Sequence, residues 1–467
     1  MNPPKQKFLI GVILILSTGC AVGPNYKRPA VHVPPEYRGL PADQAGKADV
    51  ASFGDEKWWD AFQDDTLRTL VQTALKQNYD VRIAAARILE ARAQLGITRA
   101  DQFPSVAASA SSVNERLAQS ARIPSIETTA NQVSLSAAWE LDFWGRYRRA
   151  TESARASLLA QEWARRAVIS SLVSDVASAY FQLRELDLEL EISRQTLASR
   201  KDSLRLTQLL ADHGSTSLLD VRQAEQLVFT AGAATPGLEQ RIEQQENFIS
   251  TLLGQNPQSI ARGRKLVDQP HPLEVPAGLP SSLLERRSDI RQAEEQLVAA
   301  NAQIGVAKAA YFPQISLTAA GGYQSSALTG LFSGPAGLWT VGGSAVQPVF
   351  EGGRIRNRVK FAEAQTQEAA LFYQRTVQQA FRDVSDALIA YRKSQEFRNQ
   401  QEQLAHSAEE ATKLSNMRYK GGATSYLEVL DSDTRHFSAQ LSLAQAQLRE
   451  LESLVQIYRA LGGGWKE

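Results

Sequence analysis

The chain is written twice, and no other feature limits its fold as strongly. Asp80-Val-Arg82 returns as Asp289-Ile-Arg291, Ala93-Gln94-x-Gly96 as Ala302-Gln303-x-Gly305, and Phe103-Pro104 as Phe312-Pro313. Later, Gly214-Ser-Thr-Ser-Leu-Leu-Asp-Val221 matches Gly422-Ala-Thr-Ser-Tyr-Leu-Glu-Val429, and Leu253-Gly254 matches Leu461-Gly462. The offset of about 208 residues is far longer than a solenoid period, so the repeating unit is half of the chain. Residues 63–254 form the first copy and 282–462 the second, with a tail at 463–467. Between them, 255–281 carries Pro257, Pro270, Pro272, Pro276 and Pro280. Proline has no amide hydrogen and clashes with the preceding turn, so this linker is not regular helix. Two pseudo-equivalent halves standing side by side are expected.

Within each copy the hydrophobic period changes. Leu427, Leu430, Thr434, Phe437, Leu441, Ala444, Leu448, Leu451, Val455 and Tyr458 alternate spacings of three and four, broken only by Thr434. Leu172, Val176, Ala179, Leu183, Leu186 and Leu190, then Leu197 and Leu204, do the same in the first copy. A sustained heptad row points to coiled-coil packing. Residues 146–210 contain no proline or glycine, enough for a helix on the order of 100 Å. Pro236 is expected to interrupt and kink the returning helix. Between the helices the period drops to two: Val133, Leu135, Ala137, Trp139, Leu141 and Phe143 share one face, and Ser134, Ser136, Glu140 and Asp142 the other. Each copy reads as helix, strand, strand, long helix, turn, helix, with hairpin loops at 113–130 and 324–337. Strands with one apolar face fit either a soluble sheet or a transmembrane barrel.

The N-terminus and the composition narrow the choice. Lys5 and Lys7 precede the apolar run Phe8–Leu16, which is too short to span a bilayer and suits a signal peptide over residues 1–19. It ends in Ser17-Thr18-Gly19-Cys20, which resembles a lipoprotein cleavage box with Ser17 in place of the usual leucine. Cys20 is the only cysteine, so it is expected to be acylated, with 20–62 as a lipidated extended segment. A single cysteine excludes an intrachain disulfide and a cysteine-cluster metal site, and the five histidines show no ligand spacing. With 51 basic against 50 acidic residues, the chain has no electrostatic draw to nucleic acid. It holds no phosphate loop, HExxH motif or nucleophile elbow, so neither an enzyme nor a cofactor is expected. Nothing after residue 20 is long and apolar enough for a membrane helix, so further insertion must use strands. Membrane barrels start at about eight strands, so four per chain require several chains.

In order along the chain, these residues resemble the outer-membrane factor family, the TolC-like exit ducts, in its NodT/OprM-like efflux lipoprotein branch. The similarity covers the mature chain. It rests on Cys20-Ala-Val-Gly-Pro-Asn-Tyr-Lys-Arg-Pro29, Trp58-Trp59-Asp60-Ala-Phe62, Arg286-Arg-Ser-Asp-Ile-Arg-Gln-Ala-Glu-Glu-Gln-Leu297, Ala309-Ala-Tyr-Phe-Pro-Gln314, Phe350-Glu-Gly-Gly-Arg354 and Arg418-Tyr-Lys-Gly-Gly422. Ser288 stands where relatives usually have proline. The resemblance implies a mainly α fold with a membrane β part. It implies a homotrimer whose four-stranded contributions close one twelve-stranded β-barrel, continued by a long coiled-coil barrel in the periplasm. It further implies an outer-membrane location and the exit duct of a tripartite pump for drugs or other small toxic compounds. The partners would be a periplasmic adaptor protein and an inner-membrane RND-type transporter. The exit duct of a protein secretion system and a non-conducting structural lipoprotein remain alternatives.

The helix-to-helix turns at 213–217 and 420–425 are the candidate working parts. Their glycines permit a left-handed backbone, and Thr216 or Ser217, and Thr424 or Ser425, can cap the following helix. The resemblance implies an adaptor-contact tip comprising Gly214, Ser215, Asp220, Gly421, Gly422 and Thr424. It also implies a pore gate of Asp431, Glu428, Arg418 and Tyr419, with Asp431 in an acidic ring and Arg418 and Tyr419 in interhelix locks. The copies differ here, since Asp431 aligns with Gln223 and Arg418 with Leu210. Asp220 and Glu428 are equivalent, so acids there can simply favour a helix start. The alternative for Asp431 is a solvated helix face. Trp58 and Trp59 are expected to be packing anchors.

Overall fold

The computed structural model describes residues 21–39, 52–53, 62–118, 125–270, 272 and 275–463. Cys20, Trp58 and Trp59 lie outside these residues. The first half contains α1 (Asp65–Gln77), α2 (Tyr79–Ala100), β1 (Ser105–Leu117), β2 (Ile126–Leu141), α3 (Arg146–Asp212) and α4 (Leu218–Leu252). The second contains α5 (Pro280–Arg286), α6 (Ser288–Ala309), β3 (Gln314–Ser325), β4 (Gly337–Val346), α7 (Arg354–Lys420) and α8 (Tyr426–Ala460). The later helices agree in length residue for residue, with 22 in α2 and α6, 67 in α3 and α7, and 35 in α4 and α8, whereas α1 has 13 and α5 has 7. Helix α4 runs unbroken through Pro236, against the expected interruption. One missing hydrogen bond is a local loss inside a helix whose buried face continues at Leu238, Ile242 and Ile249.

The described chain divides into two compact units. One consists of Met1–Ala30, Arg87–Glu162 and Gln292–Gln374, and it contains the sheet. Its strand order is β1-β2-β3-β4, antiparallel throughout. Cross-strand partners share a face, which places Val106, Ala137, Ala319 and Val341 in one row and Ala108, Leu135, Gly321 and Trp339 in the next. Further rows join Trp139 with Leu317, Leu141 with Ile315, and Ala110 with Val133 and Tyr323. Five successive rows make an apolar band about 27 Å long along the strands, at two residues or about 6.8 Å per row. This face is bare, with Trp339 79% and Val341 72% exposed. The opposite face is hydroxyl-rich, and Ser109 meets Ser134 at 3.0 Å and Ser316 meets Ser344 at 2.8 Å. Strands β1 and β2 extend well into the stretch expected to be loop, pairing Val113 with Ala130 through Leu117 with Ile126. Backbone pairing does not depend on side-chain polarity, so the ladder continues past the apolar band, where Arg116 faces Glu127 at 3.4 Å.

A strap from the N-terminal segment is bolted to the same unit. Val22 N–H donates to Trp144 O, and the Arg149 guanidinium donates to the carbonyls of Val22 and Gly23 and to Asn25 Oδ1. Asn301 Nδ2 donates to Pro24 O at 3.0 Å, and Arg28 grips Glu294 through two bonds of 2.6 and 2.7 Å. The strap passes so close to α6 that a Cβ on Gly305 would lie 2.6 Å from Val22 O. Gly96, its counterpart in the first copy, has nothing within 4 Å.

The other unit consists of Val31–Ala86, Trp163–Arg291 and Arg375–Glu467. Five of the α3 heptad positions, Leu172, Val176, Ala179, Leu183 and Leu186, are buried in it. Phe62 packs edge-on against Phe181 and Tyr458 at 5.8 and 6.1 Å between centroids. Asp64 ties the unit together. Its Oδ1 accepts from the N–H groups of Thr66 and Leu67, capping α1, and its Oδ2 accepts from Tyr180 Oη, Arg264 N and Gln269 Nε2. Burial pushes this carboxyl up, but the converging donors outweigh it and hold the group below the usual carboxylate range. Arg287, from the Arg286-Arg-Ser-Asp motif, joins Asp289 at 3.0 Å, Asp383 at 3.2 Å and the carbonyl of Ala460 at 3.3 Å.

The same unit contains a buried acid pair on successive turns of α3. Glu185 and Glu189 are 2% and 3% exposed. Glu189 receives Arg241 Nη1 at 3.2 Å and Gln445 Nε2 at 3.1 Å. Burial, then the hydrogen bond to Glu189 and its charge, push the Glu185 carboxyl up to about 8. The folded form thus binds this proton more tightly than the unfolded chain, where glutamate titrates near about 4.3. The stability it contributes is complete below that range and is lost as pH rises through about 8. Glu185→Gln is expected to flatten the fall in unfolding stability between pH 5 and 9, measured by denaturant titration at each pH. A variant with the wild-type slope would refute the shared proton.

Candidate functional site

The two helical turns reach their geometry by different chemistry. Gly214 (φ +72°) and Gly422 (φ +71°) both adopt the left-handed backbone that ends a helix, and Gly214 N–H and Gly422 N–H return to the carbonyls of Ala211 and Tyr419. In the first turn Ser217 caps α4, and Asp220 completes a capping box by accepting from Ser217 N–H. The Thr216 hydroxyl, with the Ser217 N–H and hydroxyl, holds the Asp220 carboxyl below its usual range. Asp220 is therefore fully engaged in starting a helix. In the second turn Ser425 occupies the cap position without a side-chain bond. Thr424 donates to Glu428, and Arg418 reaches Glu428 at 3.6 Å, bridging α7 to α8. Gly421 is not left-handed, and Ser215 N–H donates to Leu210 O at 2.8 Å.

Behind the turns, four helices meet around one apolar cluster. Ala224, Tyr426 and Val429 are buried there, with Leu204, Tyr419 and Leu430 packed against them. The Tyr419 ring lies 5.3 Å from that of Tyr426, and burial pushes the Tyr426 phenol up to about 12. The Tyr419 hydroxyl has no hydrogen-bond partner among the described residues. Arg200 of α3, 3% exposed, spans the cluster: it contacts Asp433 of α8 at 2.8 Å and Leu227 O of α4 at 3.2 Å, over the ring of Phe437. A cavity of about 430 Å³ adjoins it, lined in part by Arg200, Thr207, Asn416, Tyr419 and Asp433. Asp431 lies on the exposed side of α8 and pairs with Arg435, one turn on, at 2.8 Å. Within a single chain, then, Asp431 carries a counter-ion one turn away.

Sequence reasoning placed Arg418, Tyr419, Glu428 and the turn glycines in one locality. It missed Arg200 and Asp433, which are 233 residues apart and belong to no common local pattern. Thr434, which interrupts the apolar row, is exposed and returns its hydroxyl to Leu430 O, so that gap carried no sign of the pair. Among the described residues there is no cluster of metal-ligating side chains, and no helix is long and apolar enough to cross a membrane.

The bare, banded sheet together with paired long helices can be compared with known proteins. Residues 70–255 and 279–463 match the family described as outer membrane efflux protein. The chain belongs to this family. It is 38% identical, over 99% of both chains, to the solvent efflux pump outer membrane protein SrpC of Pseudomonas putida. It is 32% identical, again over 99% of both, to the cation efflux system protein CusC of Escherichia coli. The solved outer-membrane channel OprN superposes with a TM-score of 0.88 at 33% identity, covering 96% of this chain and 100% of that one. As an outer membrane efflux protein the chain is a channel component and not an enzyme.

The Arg200–Asp433 contact is buried, whereas Arg418 and Glu428 are exposed. Removing one member of a buried pair strands a charge, at a cost of about 3–5 kcal/mol, while an exposed pair is worth about 0–1 kcal/mol. Arg200→Ala is therefore expected to raise hydrogen exchange across 199–207 and 426–437 by at least a hundredfold, and Arg418→Ala by less than tenfold. Equal effects would remove Arg200 from its central place.

Proposed function

We propose that this outer membrane efflux protein works as a homotrimer whose pooled strands close a twelve-stranded barrel. The observation that carries this reading is the sheet: four antiparallel strands, a bare apolar face, and edges on β1 and β4 without a partner strand among the described residues. Hydrocarbon offers no water to the N–H and C=O groups of those edges, so they must be paired by other chains. Three copies of a four-stranded sheet satisfy that requirement. The long helices then stand in the periplasm as a conduit, and acylated Cys20 holds the N-terminus at the membrane.

The turns form the inner end. Gly214, Ser215, Asp220, Gly421, Gly422 and Thr424 present the backbone and small side chains that a periplasmic adaptor docks on, and an inner-membrane RND-type transporter supplies the energy. Arg418–Glu428 holds α7 to α8 in the resting state, Tyr419 packs beneath it, and Asp431 lies on the pore side. Drugs or other small toxic compounds pass through. The sequence relatives handle solvents in one case and cations in another, so the duct itself does not select the cargo.

Single-channel recording in planar bilayers tests the gate. Asp431→Asn leaves Arg435 unpaired, which adds net positive charge to the constriction and should lower cation preference. Arg418→Ala should raise the open fraction several-fold. Currents that ignore both substitutions would remove these residues from the gate, and a folded oligomer without conductance would sink the duct.

A further inference from the structure

The two copies part company where the sheet hands over to the long helix. Both α3 and α7 begin with an arginine after a left-handed glycine: Gly145 (φ +78°) before Arg146 and Gly353 (φ +84°) before Arg354. In the first copy the opening cations are neutralised. Arg146 lies 3.2 Å from Glu140, Arg148 3.3 Å from Asp142 and Arg149 2.8 Å from Glu152. At the offset that aligns these glycines, Glu140 and Asp142 become Pro348 and Phe350. Both acids are gone, yet the cations remain: Arg354, Arg356, Arg358 and Lys360 are all exposed in the first two turns of α7. Arg354 pairs with Glu351, whereas Arg356, Arg358 and Lys360 form no ion pair among the described residues.

Helix formation does not account for these charges. Cations in a first turn oppose the helix dipole, and like charges four apart, as in Arg354/Arg358 and Arg356/Lys360, repel. Intramolecular packing does not account for them either. Beside them Val349 and Phe350 are 95% and 89% exposed, and Phe361 is bare as well. Val349 and Phe350 follow the end of β4 at Val346, four and five residues past Ala345 in the last row of the apolar band. Bare apolar side chains followed within two turns by unpaired cations match the layering of acyl chains and headgroup phosphates at a membrane surface.

We propose that the β4–α7 junction binds anionic phospholipid, with Val349 and Phe350 at the acyl edge and Arg356, Arg358 and Lys360 on the headgroup phosphates. The site rests on the reading of the sheet as membrane-spanning. The first copy, with its acids in place, takes no such lipid.

The test uses the full-length oligomer in nanodiscs of phosphatidylcholine doped with phosphatidylglycerol, with co-purified lipid counted by mass spectrometry. The wild type should enrich phosphatidylglycerol about tenfold, and the triple variant R356Q/R358Q/K360Q should fall to twofold or less. The wild type in 1 M salt, where screening reaches about 3 Å, should fall likewise, which gives the answer without any variant. Enrichment that survives both changes overturns the site. So does a wild type that enriches no phosphatidylglycerol, and resistance of a Phe350→Cys variant to thiol labelling would then show that a second copy covers the patch. Conductance of the same samples separates the two readings. Enrichment without current removes the duct and leaves the lipid site, and current without enrichment does the reverse.

Discussion

Everything in this protein answers to one constraint: a polar backbone cannot lie in hydrocarbon with its N–H and C=O groups unpaired. Four strands meet that condition only in their interior, because the outer edges of β1 and β4 have no partner strand among the described residues. An apolar band on one face and hydroxyls on the other then decide which side meets lipid. The rest of the chain delivers the four strands in order, two from each half. The glycines before α3 and α7 turn the chain from strand to helix at matching places.

The two halves hold the same order of elements but do not do the same work. Gly305 is the seat of the N-terminal strap, while Gly96 faces open space. One turn is closed by a capping box and the other by an arginine bridging two helices. The acids that neutralise the start of α3 have no counterparts ahead of α7. In each case matching backbone carries different side-chain chemistry in the two halves.

The legible parts of the fold were those with a local period. The heptad rows foretold the helices, the period of two foretold the apolar face of β2, and paired glycines marked both turns. What stayed hidden was held by residues far apart in sequence. Asp64 gathers donors from positions 180, 264 and 269, and Arg28 reaches Glu294. No window of a single sequence brings such pairs together. The ends of β1 and β2 were missed for a different reason, because ladder hydrogen bonds carry a strand beyond the residues whose pattern announces it. The Asp431–Arg435 pair is the exception, with its two members one turn apart on the same helix.

The equal helix lengths carry an evolutionary consequence. Only scattered motifs survive between the halves, yet α3 and α7 still have 67 residues each and α4 and α8 have 35 each. In these long helices the side chains differ between the halves while the lengths do not. A heptad gained in one hairpin alone would leave its turn one step out of level with its twin. Length in such a chain is inherited as a paired trait, and any lineage that lengthens one arm must lengthen the other.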